Sequence, residues 1–402
     1  MSLKRIISLI MILCMALSVA MAETKTINGG EERNIQINAA GENAVEEGVS
    51  PTTGRKLADV TAPEGSAGLA VTGRYFPMMV QVTNANKGIN NYRPLYGASA
   101  DVIYQTSLAS NGVDRMTYVF SDVIPPFVGF VRSTRVTHLR LRQEWGAGYI
   151  TSGWSEADVP GEMDALGIPN PIVRIMKAED PGYIFCGGAP ARPWGKYYRR
   201  MIGTGVPAAP NNEVFEAAAI VNEVVPASYT APNHAFRFTD AKPEGEDATF
   251  IYVQLTGSDE TYSELEYDEE TNKYYRYLYD NGTPVTYMES IPQDLTRTKV
   301  DGENRFQVRG LYPGQEITFD NVIVQSVEYT WANEERPIPA LVGSGNADYF
   351  MGGKHIAGVW QRDDANSRTV FYGADGNEIE LQRGRTLIIL LDWKNTGSVR
   401  YE

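Results

Sequence analysis

Two arginines flank a pair of hydroxyl residues in a segment suited to binding an anion. The segment reads Gly129-Phe-Val-Arg132-Ser133-Thr134-Arg135, and it joins an apolar strand to a predicted helix. Free N–H groups at a helix start, together with two guanidinium groups, bind a carboxylate or a phosphate well. The alternative is that both arginines pair with acids of the chain itself, such as Asp101 or Asp122.

A serine in a second segment has the setting of a hydrolase nucleophile. Gly153-Trp154-Ser155-Glu156-Ala157 follows a predicted strand and precedes a possible helix, and a sharp turn there would lift the Ser155 hydroxyl clear of the sheet. Ala157 stands where this motif carries glycine, and the histidines downstream are His234 and His355. Ser155 is therefore a candidate nucleophile, with a helix-capping serine as the alternative.

Trp194 lies in a short basic and aromatic stretch, residues 192–200, of an acidic chain. Aromatic rings stack on sugar faces and cations attract acidic groups, so this stretch could bind an envelope glycan or an acidic partner. The alternative is that the rings belong to the core and the cations to the solvated surface.

The sequence contains no pattern for a metal, a nucleotide cofactor or a nucleic acid. It has neither His-x-x-x-His nor Cys-x-x-Cys, and its acid-rich run over residues 259–270 lacks the spacing and the glycine of an EF-hand loop. P-loop and dinucleotide-binding fingerprints are also missing. The net charge of −14 over 402 residues disfavours contact with a phosphate backbone. We therefore expect no metal, no cofactor and no nucleic acid partner.

The first 22 residues have the three parts of a secretory signal peptide. A short basic segment precedes an apolar run over residues 6–17, and small residues at 20–22 form a cleavage site. We therefore expect a secreted, extracytoplasmic protein associated with the cell envelope. No transmembrane helix is expected once the signal peptide is removed.

The two cysteines bear on anchoring and on redox chemistry. Cys14 lies in the apolar run, and Leu13 before it is too bulky for lipoprotein processing, so we expect no lipid anchor. Cys186 is then the single cysteine of the mature chain and cannot form an internal disulfide. Its apolar neighbours favour a buried structural cysteine over a catalytic thiolate.

Hydrophobic periodicity divides the rest of the chain into three parts. Residues 23–70 are rich in polar and small residues, which predicts a flexible leader. Residues 71–235 alternate strand and helix patterns, with a strand over 77–83 and a helix over 134–144, which predicts an α/β domain. Residues 236–402 show alternating strands with Asn-Gly and Asp-Gly turns, which predicts a mainly antiparallel β domain. The predicted class is α+β overall.

Several motifs resemble the YerB-like family of bacterial cell-envelope proteins. The resemblance lies in residues 50–54, 93–104, 113–115, 129–135, 358–362, 375–379 and 383–386. It implies an exported protein in two parts, commonly lipid-anchored, from Gram-positive-type bacteria. It implies no activity, because the family is described as being of unknown function. Gln105, Ser110 and Asn211 depart from two acids and a histidine of the family pattern, which argues against a shared catalytic role.

These observations give one leading expectation and one alternative. The candidate ligand-binding residues are Asp101, Tyr104, Arg115, Arg132, Ser133, Arg135, Trp154 and Trp194. We expect a non-enzymatic binding or scaffold protein that holds an acidic small group, a wall polymer or an envelope protein through Arg115, Arg132 and Arg135. The alternative is a wall-directed serine hydrolase that uses Ser155.

Overall fold

The computed structural model describes most of the chain after the predicted signal peptide. The described residues are 24–84, 93–109, 113–154, 158–167, 184–186, 197–229, 231–232, 234–258, 260–280, 282–300, 302–331 and 336–402. The predicted signal peptide, Ser155 and Trp194 lie outside these ranges.

Strands dominate the described residues. The α helices are α1 (Leu69–Thr72), α2 (Val136–Trp145), α3 (Val159–Ala165) and α4 (Ala217–Glu223). The strands are β1 (Lys25–Ile27), β2 (Met78–Thr83), β3 (Val102–Ala109), β4 (Val113–Phe120), β5 (Val128–Gly129), β6 (Gly148–Thr151), β7 (Ile184–Cys186), β8 (Tyr198–Thr204), β9 (Glu213–Phe215), β10 (Arg237–Thr239), β11 (Glu246–Asp247), β12 (Phe250–Gln254), β13 (Tyr262–Asp268), β14 (Lys273–Asp280), β15 (Thr283–Thr286), β16 (Met288–Gln293), β17 (Thr296–Val300), β18 (Glu303–Glu316), β19 (Thr318–Phe319), β20 (Asn321–Val327), β21 (Tyr329–Trp331), β22 (Pro337–Pro339), β23 (Gly343–Met351), β24 (Lys354–Arg362), β25 (Val370–Tyr372), β26 (Glu380–Gln382), β27 (Thr386–Asp392) and β28 (Ser398–Tyr401).

An eleven-stranded mixed sheet forms the centre of the molecule. Its order is β11-β24-β23-β20-β27-β3-β4-β2-β6-β7, with β25 paired to β24. β20 and β27 are buried along their whole lengths and pair in parallel, as expected for apolar strands covered on both faces. β27 also pairs in parallel with β3, so strands from both predicted domains belong to one sheet.

Two smaller sheets lie beside the central sheet and carry most of the antiparallel hairpins. One has the order β1-β28-β12-β13-β14-β15, and the other has the order β16-β18-β8-β9-β5. The acid-rich run near residue 268 forms the turn between β13 and β14. Helix α2 packs against α3 and β22, and its Trp145 is buried with its ring 3.7 Å from the His234 ring. Among the described residues, no helix has both the length and the apolar composition needed to cross a membrane.

The predicted fold class is confirmed. The N-terminal part combines a mixed sheet with helices, and the C-terminal part is mainly antiparallel sheet.

Several of residues 24–70, which the sequence predicted to form a flexible leader, contact distant parts of the chain. β1 pairs with β28 at the other end of the chain. Arg33 donates hydrogen bonds to Ala347 O at 2.7 Å and to Gly358 O at 2.9 Å. These contacts join residues more than 300 positions apart, so the composition of the segment alone does not indicate them.

Candidate functional site

Backbone hydrogen bonds fix the segment over residues 132–135 between β2 and the turn after β6. The Arg132 amide donates to Gln81 O at 2.9 Å, and the Thr134 amide donates to Gly153 O at 2.9 Å. The Thr134 hydroxyl also lies 2.9 Å from the Tyr149 hydroxyl. The segment therefore leads into helix α2, whose N-cap is Arg135, with a defined geometry.

Three arginines meet at this place, and we name Arg115, Arg132 and Arg135 the arginine cluster. Arg115 projects from β4, is only 6% exposed, and donates through Nη1 to Ser133 O at 2.9 Å. Burial first, and then the charges of Arg132 and Arg135, lower the pKa of Arg115 from its ordinary value to about 9. The structure thus brings together the three arginines that the sequence predicted to bind a ligand.

Arg115 has no ion-pair partner among the described residues. The neighbouring carboxylate, Asp114, accepts a hydrogen bond from Asn84 at 2.7 Å and another from Gln105. By contrast, the equally buried Arg362 lies 3.1 Å from the Glu144 carboxylate. A buried guanidinium without a counter-charge is costly, so the arginine cluster is a place where an anion would be stabilised.

Buried hydrogen-bond donors beside the cluster also lack acceptors among the described residues. They are Arg115 Nε, Gln81 Nε2 and Trp154 Nε1. Gln81 accepts the Arg132 amide, and Trp154 forms a β-bridge with Thr134, so all three donors belong to this part of the fold. Buried donors without acceptors are uncommon in proteins and suit a site that takes an oxyanion.

Neutral and acidic groups border the cluster. His138 accepts the Arg135 amide through Nδ1 at 3.1 Å, and burial with the charges of Arg115 and Arg135 holds its pKa well below the usual range. The Glu213 carboxylate is held by the Ser152 hydroxyl and by the Tyr198 hydroxyl at 2.7 Å. Burial raises the pKa of Glu213, whereas the charges of Arg200 and Arg132 act on it in the opposite direction.

The internal ion pair with Asp101 or Asp122 is wrong. Asp101 accepts hydrogen bonds from the Ser121 hydroxyl at 2.8 Å and from the Asp122 amide at 2.9 Å. Asp122 accepts from the Ser50 hydroxyl at 2.6 Å and from the Thr53 hydroxyl at 2.8 Å. Ser121 and the Asp122 amide therefore hold Asp101, and the leader residues Ser50 and Thr53 hold Asp122.

The remaining predicted site residues are distributed as follows. Ser133 and Trp154 lie at the arginine cluster, whereas Tyr104 is a core residue whose hydroxyl accepts from Trp145 Nε1 at 3.0 Å. Ser155 and Trp194 lie outside the described residues, so their roles remain predictions. Cys186 ends strand β7 at the edge of the central sheet.

Asp101 lies instead in the wall of a cavity of about 960 Å³, which we name the Asp101 cavity. Its wall combines the turn after Gly54, the segment from Tyr96 to Asp101, Lys273, Glu289 and Arg385. Burial, and then the charge of Asp122, raises the pKa of Asp101 to about 8. Sequence reasoning missed this cavity because it treated one wall as a flexible leader, although the motifs at 50–54 and 383–386 both border it.

The described residues hold no group of three or more His, Cys, Asp or Glu side chains placed to bind a metal ion. The arrangement of the arginine cluster therefore supports reversible anion binding through guanidinium and N–H donors.

Comparisons with known proteins match both parts of the chain. The family model for the N-terminal domain of a protein of unknown function, DUF3048, matches residues 67–167. The model for the C-terminal domain of the same family matches residues 251–388. No curated protein matches the chain.

A solved structure agrees with these matches. The crystal structure of the YerB protein from Bacillus subtilis is similar, with a TM-score of 0.58 and 17% sequence identity. The match covers 87% of this chain and 99% of that chain, and at this identity it shows the fold alone. The chain belongs to the YerB-like DUF3048 family, a family of two-part proteins of unknown function.

Proposed function

We propose that this protein is an exported, non-enzymatic envelope protein that binds an anionic group at the arginine cluster. The observation that carries the proposal is Arg115, a buried guanidinium whose one hydrogen bond goes to a neutral carbonyl. An anion would supply the missing counter-charge and would accept from the buried donors of Gln81 and Trp154.

The ligand class follows from the shape of the donors. Guanidinium groups pair with planar carboxylates and with phosphates through two parallel hydrogen bonds, and the start of helix α2 favours negative charge. The ligand is therefore a carboxylate or phosphate group of a small molecule, a wall polymer or an envelope partner. The signal-like sequence over residues 1–22 supports export to the place where such polymers occur.

Thermal unfolding of the mature chain in phosphate and in citrate tests the proposal. An anion that binds the folded state raises the melting temperature, whereas chloride at equal ionic strength controls for screening. Arg115→Met removes the charge while keeping the length of the side chain, so we expect the phosphate or citrate effect to disappear. Because Arg115 has no acidic partner, we expect the melting temperature without ligand to stay the same or to rise.

A matched control keeps this result interpretable. Arg309 is an arginine on β18 with a 69% exposed side chain, and Arg309→Met should leave the anion effect intact. The double variant Arg132→Ala with Arg135→Ala should weaken both the anion effect and retention on purified cell wall. Equal stabilisation of wild type and Arg115→Met by both anions would show that the arginine cluster is not the binding site.

A further inference from the structure

The Asp101 cavity is large enough for a ligand and is built by segments far apart in sequence. Its volume of about 960 Å³ lies at the upper end of the range for small-molecule sites. The leader contributes Arg55 and residues 59–63, while β16 contributes Glu289 and Ile291. Four parts of the chain that are distant in sequence therefore meet around one space.

Three cations of this wall, Arg55, Lys273 and Arg385, have partners within the fold. Arg55 lies 3.1 Å and Lys273 lies 3.6 Å from the carboxylate of Asp320. Arg385 is buried and donates to Ala100 O and to Thr318 O, each at 2.7 Å. These three cations therefore offer an anionic ligand less than cations without partners would.

The wall nevertheless presents hydrogen-bonding groups of both kinds. Burial raises the pKa values of Asp101, Asp122 and Glu289, so the carboxyls of the wall hold protons more readily than exposed acids do. A carboxyl that retains its proton donates a hydrogen bond and a carboxylate accepts one. Among the described residues, the Lys273 ammonium forms an ion pair with Asp320, and its other N–H donors can reach a ligand.

Apolar surface completes the wall. Tyr96 is half-buried and stands at a positive φ of 52°, in a turn that makes it part of the cavity wall. Ile291 and Pro63 lie in the same wall. Rings and aliphatic groups beside paired donors and acceptors match a sugar, which has an apolar face and an edge of hydroxyls.

We infer that the Asp101 cavity binds a neutral polyhydroxylated ligand, namely a saccharide unit, at a site separate from the arginine cluster. Hydroxyl groups both donate and accept, so they can form hydrogen bonds with wall groups such as Glu289 and Lys273 without adding charge. The inference does not depend on anion binding at Arg115.

Isothermal titration calorimetry on the mature full chain tests the inference with two probes, the β-1,4-linked tetramer of N-acetylglucosamine and maltotetraose. We expect at least one to bind. Lys273→Ala should weaken that binding roughly tenfold, because it removes one hydrogen bond from a charged donor. Ile291→Trp should abolish it by filling the cavity. Lys354→Ala is the matched control, because Lys354 is also a strand lysine paired with an acid, with 35% exposure against 31% for Lys273.

The outcomes separate this inference from the proposed function. Saccharide binding that persists in Arg115→Met places the sugar outside the arginine cluster and supports the inference, whatever the anion result. Three results would overturn the inference: no heat with either tetrasaccharide, equal binding by wild type and Ile291→Trp, or more than tenfold tighter binding of tetragalacturonate than of the neutral tetramers. Melting temperatures of each variant verify that a loss of binding is not a loss of folding.

Discussion

Buried arginines in this protein are satisfied in three different ways. Arg362 forms an ion pair with Glu144, and Arg385 donates hydrogen bonds to backbone carbonyls. Arg115 makes one hydrogen bond to a carbonyl and has two other arginines as its charged neighbours. Arg362 therefore has a counter-charge and Arg385 has carbonyl acceptors, whereas Arg115 has no ion-pair partner among the described residues. The partner of the Arg115 guanidinium therefore distinguishes the arginine cluster from an ordinary structural ion pair.

The raised pKa of Asp101 predicts that stability falls as the pH rises from about 4 to about 8. The pKa of Asp101 is raised from 3.8 to about 8 on folding, so the folded state keeps a proton that the unfolded chain has lost at neutral pH. This contribution to stability is fully present below pH 3.8 and is lost as the pH rises through about 8. Asp101→Asn mimics the protonated form, so its free energy of unfolding should fall less between pH 6 and pH 9.

Urea unfolding at several pH values measures this effect. Asp164→Asn, at an exposed acid on α3, is the control and should show the wild-type pH dependence. If Asp101→Asn and wild type lose the same stability between pH 6 and pH 9, Asp101 does not keep a proton in the folded state.

At the scale of elements, the leader acts as an integral part of the β structure. Arg33 donates to the buried carboxylate of Asp348 at 2.8 Å, and His355 also contacts that carboxylate at 2.8 Å.

Arg33→Ala would remove the charge that compensates Asp348, so we expect a loss of about 3 kcal/mol in the free energy of unfolding. Limited proteolysis should then cut the leader faster, while Arg297→Ala, at a side chain that is 62% exposed, should not change its cleavage. If the protease cuts the leader equally fast in wild type, Arg33→Ala and Arg297→Ala, Arg33 does not keep the leader bound to the β structure.

Elements defined by local periodicity could be predicted, and those defined by distant contacts could not. Runs of apolar residues predict the strand at 78–83 and helix α2. Arg132 and Arg135 are predicted as site residues because they flank the start of that helix. Arg115 entered the site only through a family motif, because nothing local shows that β4 points it toward Ser133. The leader and the Asp101 cavity depend on pairings such as Ser50 with Asp122, which leave no local periodicity in the sequence.

At the scale of the molecule, β27 joins the two parts of the family into one sheet. Residues 386–389 pair with residues 102–105 on one side, while β20 pairs along the other side. Each part alone would therefore expose a long apolar strand edge, and the chain should unfold as a single unit. Ile388→Ala, at a fully buried position of β27, should cost about 2–5 kcal/mol.

Hydrogen exchange on the full chain distinguishes one cooperative sheet from two independent domains. If β27 couples the parts, Ile388→Ala lowers the protection of β4 in the N-terminal part and of β23 in the C-terminal part by the same amount. Val342→Ala, at a residue that is 48% exposed, should change neither. Loss of protection confined to β23 and its neighbours would mean that the parts unfold separately. Equal loss on both sides would mean that the arginine cluster near β4 and the cavity wall near β27 belong to one cooperative unit, so that a ligand at either site stabilises both.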